Sequence, residues 1–264
     1  MQPLKILLVG CGKMGGALLE GWLEAGICKH IYVISPDTNF SNTKVTTLNS
    51  VSELSDSVDV VFFAVKPQIL DTVVPLYKDV EAVFISIAAG KSITSISNAF
   101  ADNKRRSIIR VMPNTPAAIG RGISGVFAND VCDQTDQAMA EELMAVCGDV
   151  IWLDKEQDMH VVTAVSGSGP AYLFHMIEAL TQAAEKQGLN KEQALLFARK
   201  TIEGAAALSS KNPDVSASTL REAVTSPKGT TEAGLTVLMP SLPDLMTRTV
   251  AAAKKRSIEL DQES

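Results

Sequence analysis

Two stretches of this 264-residue chain hold side chains whose types and spacing suit chemistry. One is Leu220-Arg-Glu-Ala-Val-Thr-Ser-Pro-Lys-Gly-Thr-Thr-Glu-Ala-Gly234. Leu220 to Val224 reads as the end of a helix. Ser226-Pro227-Lys228-Gly229 reads as a turn, because Pro fixes φ and Gly permits φ > 0. Thr230-Thr231-Glu232 then opens another helix. Hydroxyls and backbone N–H groups thus gather at a helix start, which favours an anion. Such a segment can hold a small carboxylate and set a hydroxyl beside it. A capped loop between two core helices accounts for the same residues without a ligand.

The second stretch is Gly10-Cys11-Gly12-Lys13-Met14-Gly15, entered from the apolar run Leu4-Lys-Ile-Leu-Leu-Val9 and left through Gly16-Ala-Leu-Leu-Glu-Gly-Trp-Leu-Glu24. Strand, Gly-x-Gly-x-x-Gly, helix is the dinucleotide-binding arrangement. Gly10 allows the sharp turn, Gly12 lets the backbone approach a pyrophosphate, and Gly15 lets helix pack on strand. A tight strand–helix turn with no ligand is the plain alternative. The next strand, His30-Ile-Tyr-Val-Ile34, ends in Ser35-Pro36-Asp37. An acidic residue at that end accepts from a ribose 2′-OH and favours NAD. Here Ser35 takes the place and can donate to a 2′-phosphate, while Asp37 just beyond would repel one. NADPH is therefore the expected cofactor, with NADH the alternative.

The elements that must position these groups alternate strand and helix signals. Val58–Val65 reads as a buried strand ending in Lys66-Pro67, and Pro67 opens a helix through Leu76. Ala82–Ile87 is a strand ending at Ala88-Ala89-Gly90. Ser107–Met112, Gly122–Phe127 and Val150–Leu153 bring the sheet to seven or eight strands. Ligands of such sheets lie beyond the carboxyl ends of the strands. Ala64, Val65, Lys66, Pro67, Ala88 and Ala89 fall there. The small residues leave room for a cofactor, and Lys66 can reach a phosphate or carbonyl or else remain a solvated loop lysine.

From Asp154 onward the texture is helical. Asp154 with Gln157, and Asn190 with Gln193, have the spacing of capping pairs. Leu173, Ile177, Leu180 and Ala184 form one stripe. The following helix is apolar over most of its circumference through Leu195, Leu196, Phe197, Ile202, Ala205 and Leu208, and must be covered on several sides. A segment of about 110 residues has difficulty doing this alone. A homodimer with interleaved helices is expected, open to further assembly.

Composition narrows the class. Apolar residues make up 46% of the chain, enough for a large core, and the net charge is −6 with no long basic stripe, which argues against nucleic acid. Lys254-Lys255-Arg256 reads as a solvated helix C-terminus. The four cysteines form no C-x-x-C pair and the three histidines are scattered, so metal-site spacing is absent. A reducing cytoplasm fits this usage. The apolar N-terminal run is too short for a membrane span and has no signal-peptide cleavage pattern.

Taken together, these motifs resemble pyrroline-5-carboxylate reductase along essentially the whole chain. The resemblance lies in Gly10-x-Gly12-x-x-Gly15, Ala64-Val-Lys-Pro67, Ala88-Ala-Gly90, Met112-Pro-Asn-Thr-Pro116, Ser166-Gly-Ser-Gly-Pro-Ala-Tyr172 and Thr225-Ser-Pro-Lys-Gly-Thr-Thr231. It implies an α/β fold with an N-terminal Rossmann-type dinucleotide-binding domain, 1–153, and a C-terminal all-α dimerisation and substrate domain, 154–264. It implies reduction of 1-pyrroline-5-carboxylate to L-proline, the last step of proline biosynthesis. Gly10, Cys11, Gly12, Lys13, Met14 and Gly15 then hold the pyrophosphate and Ser35 the adenosine phosphate side. Ala64 to Pro67 with Ala88 and Ala89 line the nucleotide. Thr231 lies beside the substrate, and Ser226 to Thr230 complete that loop. The family turn reads Pro-Gly-Gly or Pro-Asn-Gly where this chain has Lys228, an extra cation near the substrate carboxylate. Asn49 aligns with no certain register, and 209–218 varies in length among relatives.

In that chemistry an imine carbon accepts hydride once its nitrogen is protonated or hydrogen-bonded. The Thr231 hydroxyl can donate to it, with the N–H groups of Gly229 to Thr231 on the carboxylate. Tyr172 is a second candidate donor, or else a helix-packing aromatic. Two rivals stand beside this reading. A β-hydroxyacid dehydrogenase requires a catalytic lysine that Ser166–His175 lacks. A non-catalytic nucleotide sensor leaves the hydroxyl-rich turn unexplained.

Overall fold

A computed structural model describes residues 3–36 and 40–263. Asp37 lies outside them. The chain runs β1 (Leu4–Val9), α1 (Lys13–Ala25), β2 (Cys28–Ile34), β3 (Val45–Leu48), β4 (Val60–Phe63), α2 (Pro67–Val73), β5 (Val83–Ser86), α3 (Ile93–Ala99), β6 (Ile108–Met112), β7 (Gly122–Ala128), α4 (Gln134–Ala145) and β8 (Gly148–Trp152). Helices follow: α5 (Met159–Val162), a π-helical turn over Thr163–Gly167, α6 (Gly169–Lys186), α7 (Lys191–Lys211), α8 (Ala217–Ala223), α9 (Thr230–Leu238) and α10 (Leu242–Gln262).

Two compact units result, residues 1–168 with 252–264, and residues 169–251. In the first, the described strands form one sheet in the order β3-β2-β1-β4-β5-β6-β7-β8. The first six are parallel, with β7 antiparallel to β6 and β8 parallel to β7. This is the doubly wound order, with its switch point between β1 and β4. Successive residues of β1 point to opposite faces. Ile6 and Leu8 join Trp22, Phe62, Ile85 and Leu143 on one side. Leu7 and Val9 join Phe63, Tyr77, Phe84 and Phe100 on the other. Burial on both faces is why these strands read as unbroken apolar runs. The Trp22 indole donates to the Leu143 carbonyl at 2.7 Å, so the largest core side chain is also satisfied.

The expected fold class, a Rossmann-type sheet followed by helices, is the one observed. Several local expectations change. The helix opened by Pro67 is α only to Val73 and then tightens into a 3-10 turn, Val74–Tyr77, because Pro75 has no N–H for the ladder. Asp154 caps nothing: Lys155 precedes the 3-10 turn Glu156–Asp158, which has no side-chain cap. Asn190 does cap α7, accepting from the Gln193 N–H at 2.9 Å. β3 was not foreseen, since only Leu48 of Val45-Thr-Thr-Leu48 is buried.

The second unit is helical throughout, and α6 packs against α7. Among its described residues only Ala194 and Ala198 are buried. The stripe on α6 is uncovered within the chain, with Leu173 53% and Leu180 41% exposed.

Candidate functional site

In the first unit the expected nucleotide residues converge on the carboxyl ends of four adjacent strands, β2, β1, β4 and β5. Gly10 leaves β1 at φ +89°, a left-handed conformation that favours glycine. A Cβ there would lie 2.9 Å from the Ala64 backbone. One on Gly15 would lie 2.6 Å from the Gly10 carbonyl oxygen, so α1 could not seat against the strand. At Gly12 the same atom would meet nothing within 4 Å. The turn is therefore tight at Gly10 and Gly15, where chain meets chain, and open at Gly12, a shape that suits a pyrophosphate at a helix start.

Ser35 follows β2 and joins this loop: its Oγ accepts from the Cys11 N–H at 3.3 Å, next to the Gly10 N–H bond to the Ile34 carbonyl at 2.8 Å. Lys13 begins α1 and is exposed, while Met14 is half-buried. Ala64 is held to β1 by its N–H donating to the Val9 carbonyl at 2.8 Å, and Val65 packs within reach of Gly10. Lys66 stands at the N-cap of α2 with Pro67 at its first position, so the lysine side chain is left to solvent at the strand ends. Ala88 and Ala89 follow β5, where the Ala88 N–H donates to Ser86 Oγ at 3.3 Å.

Cys11 lies in this turn with its thiol held in the protonated form. Burial, then the negative Glu20, raises its thiol pKa. Burial likewise raises Cys28 to about 12 and Cys132 to about 11. Cysteine chemistry is therefore disfavoured at all three.

In the second unit, α8 ends at Ala223 and α9 starts at Thr230, as expected. Between them Lys228 adopts φ +59°, a left-handed conformation for a residue with a side chain. Its N–H donates to Glu232 Oε2 at 2.7 Å, so the acid of the first helical turn reaches back across the entrance. Gly229 is the N-cap of α9, and its N–H is spent on the Ser226 carbonyl at 2.9 Å. The N–H groups left at the helix start are consequently those of Thr230, Thr231 and Glu232, which precede the first helical bond, from the Ala233 N–H to the Gly229 carbonyl. A Cβ on Gly229 would meet the Ser226 oxygen at 2.9 Å, so this turn also demands glycine. Thr230 and Thr231 are exposed. Tyr172 is partly covered in the first turns of α6.

A cluster around α3 escaped the sequence reading. Glu156 with His160, Arg110 of β6, and Ser257 with Asp261 of α10 come from three separate stretches and meet only in the fold. No local spacing announces them.

Residues 156–260 match the family model described as pyrroline-5-carboxylate reductase dimerisation. Residues 5–90 match that described as NADP oxidoreductase, coenzyme F420-dependent. The chain is 38% identical over 245 residues to pyrroline-5-carboxylate reductase of Haemophilus influenzae, covering 90% of each. It superposes on the Coxiella burnetii pyrroline-5-carboxylate reductase with a TM-score of 0.89 at 35% identity, covering 97% and 98% of the two chains. The Plasmodium falciparum pyrroline carboxylate reductase, solved with NADP bound, gives 0.85 at 31% identity and 99% of each.

Proposed function

The chain belongs to the pyrroline-5-carboxylate reductase family, and from that premise we propose that it reduces 1-pyrroline-5-carboxylate to L-proline with NAD(P)H, the last step of proline biosynthesis. The observation that carries this reading is the glycine turn, crowded at Gly10 and Gly15 and open at Gly12. When bound, NAD(P)H supplies the hydride for the C=N carbon. We assign the nucleotide to residues 1–153 and substrate binding with dimerisation to residues 154–264.

The backbone of Gly10, Cys11, Gly12, Lys13, Met14 and Gly15 holds the pyrophosphate. Ser35, already turned toward this loop, takes the adenosine phosphate side and favours NADPH over NADH. Ala64 to Pro67 with Ala88 and Ala89 form the wall along the nucleotide. In the helical unit the N–H groups of Thr230 and Thr231 bind the substrate carboxylate. Ser226 and Gly229 shape the turn that exposes them. The Thr231 hydroxyl donates to the imine nitrogen and relays a proton from water. A hydroxyl needs no shifted pKa to do this, so positioning provides most of the acceleration.

The enzyme works as a homo-oligomer, and a homodimer with interleaved helices is its basic unit. Support comes from α6 and α7. Phe174 and Phe197 are each 62% exposed, and Phe174 with Ile177, Leu195 and Ile202 lines an open groove of ≈ 740 Å³. Among the described residues no helix is long and apolar enough to cross a membrane. The cytoplasm is the proposed compartment, in keeping with four free thiols.

A spectrophotometric comparison of NADPH and NADH consumption with pyrroline-5-carboxylate tests the proposal. Faster turnover with NADPH is expected, and no oxidation of either nucleotide would remove it.

A further inference from the structure

The loop that follows β5 is held by four contacts from three elements, all within the first unit. Gly90 has φ +70°, and a Cβ there would lie 2.8 Å from the Leu260 Cβ. The next residue, Lys91, is 5% exposed and its ammonium meets Asp71 of α2 at 2.6 Å. The Ser92 N–H donates to Asp261 Oδ1 at 2.7 Å. The Ile93 N–H donates to Glu156 Oε1, also at 2.7 Å.

Each of these bonds has its own support. Glu156 receives the buried Arg110 guanidinium at 2.6 Å, which fixes the carboxylate and balances its charge. The last turns of α10 are anchored by Ser257, 4% exposed, against His160 Nδ1 at 3.0 Å. Both carboxylates meet the first N–H groups of α3, where negative charge is favoured. The final turn of the chain is thereby joined to residues 88–93 by one charge-assisted hydrogen bond and one close apolar contact. Sequence separation between the partners Ser92 and Asp261 is 169 residues.

We propose that Leu260 and Asp261 are positioning residues for the cofactor: they clamp the loop Ala88–Ser92 in the shape that lines the nucleotide. The proposal rests on the nucleotide site assigned above. Ala88 and Ala89 contribute only backbone and methyl groups, so their fit depends on where the loop stands. Releasing Ser92 lets the loop sample other conformations, and apparent affinity falls by the fraction that remains competent. The chemical step, once cofactor is bound, is untouched.

Asp261→Ala in the full oligomer should weaken NADPH binding about tenfold, a change of about 1.4 kcal/mol, in a fluorescence titration. KM for NADPH should rise alike, with kcat at saturating NADPH within about twofold of wild type. Asp261→Asn keeps an acceptor for the Ser92 N–H and should restore most of the affinity. Hydrogen exchange of residues 90–95 in the cofactor-free protein should quicken in the Ala variant. Unchanged affinity together with unchanged exchange would overturn the clamp, as would a loss confined to kcat.

Wild-type protein gives an independent measurement should the Ala variant not fold. Coupling is reciprocal, so NADPH should slow exchange in 258–263 as well as in 88–95. Protection of 88–95 alone would also overturn the clamp. Failure of the parent reading looks different: wild-type protein would then show no NADPH binding or no oxidation with pyrroline-5-carboxylate.

Discussion

The sheet unit and the helical unit send their apolar residues in opposite directions. Trp22, Phe62 and Phe63 are 0% exposed, shut between sheet and helices. Phe174 and Phe197, of the same chemical type, are 62% exposed, and Val237 is 76% exposed. The first unit satisfies its own hydrophobic pattern. The second leaves much of its pattern uncovered, where the proposed partner protomer would complete it. Apolar periodicity thus specifies burial without naming which chain provides the cover. Covering one such Phe is worth about 1.5–3 kcal/mol, so a few per protomer decide whether the protein assembles.

The contrast can be broken hardest at the helices. Phe174→Asp with Phe197→Asp puts charges where the proposed interface is dry. Sedimentation should show monomers and turnover should disappear. NADPH binding should persist, because the sheet unit has its own core. Thr231→Val tests the chemistry of the helical unit alone. Both kcat and kcat/KM should fall about 100-fold, within the span of a lost proton donor, with NADPH affinity kept. Gly12→Val is the converse in the sheet unit. Its side chain enters open space, so thermal stability should hold while the NADPH Kd rises about 30-fold, or about 2 kcal/mol.

The smallest effect concerns pH. Burial lowers the pKa of His160, with Asp261 opposing the shift. The neutral ring is therefore favoured in the folded state. Its contribution is complete above the unfolded value near 6.5 and is lost as pH falls toward the lower folded value. Melting curves should show wild type losing stability below about pH 6.5 more steeply than His160→Asn. The difference should be a few degrees, roughly 1–3 °C. Identical pH profiles would exclude the histidine as the cause.

Much of the first unit was legible because its signals are local. β1, β4, β5 and β6 are short apolar runs, and Gly10, Gly12 and Gly15 follow the first at fixed spacing. The start of α9 was legible for the same reason, through Gly229 and the threonines after it. What escaped depended on distant partners or fine backbone geometry. The availability of the Gly229 N–H is decided by the Ser226 carbonyl, which spacing cannot disclose. Likewise β3 is a half-exposed edge whose pairing with β2, not its composition, makes it a strand. The carboxylates of Glu156 and Asp261 are ordinary acidic residues in the sequence and acquire meaning only at the head of α3.

The return of residues 252–264 to the first unit has a topological consequence. The stretch 169–251 is, in effect, an insertion whose two ends both lead into the nucleotide fold. An enzyme engineer exchanging halves with a relative must therefore splice three segments rather than two. A single junction after Ser168 would give the recipient sheet a foreign final turn against Gly90.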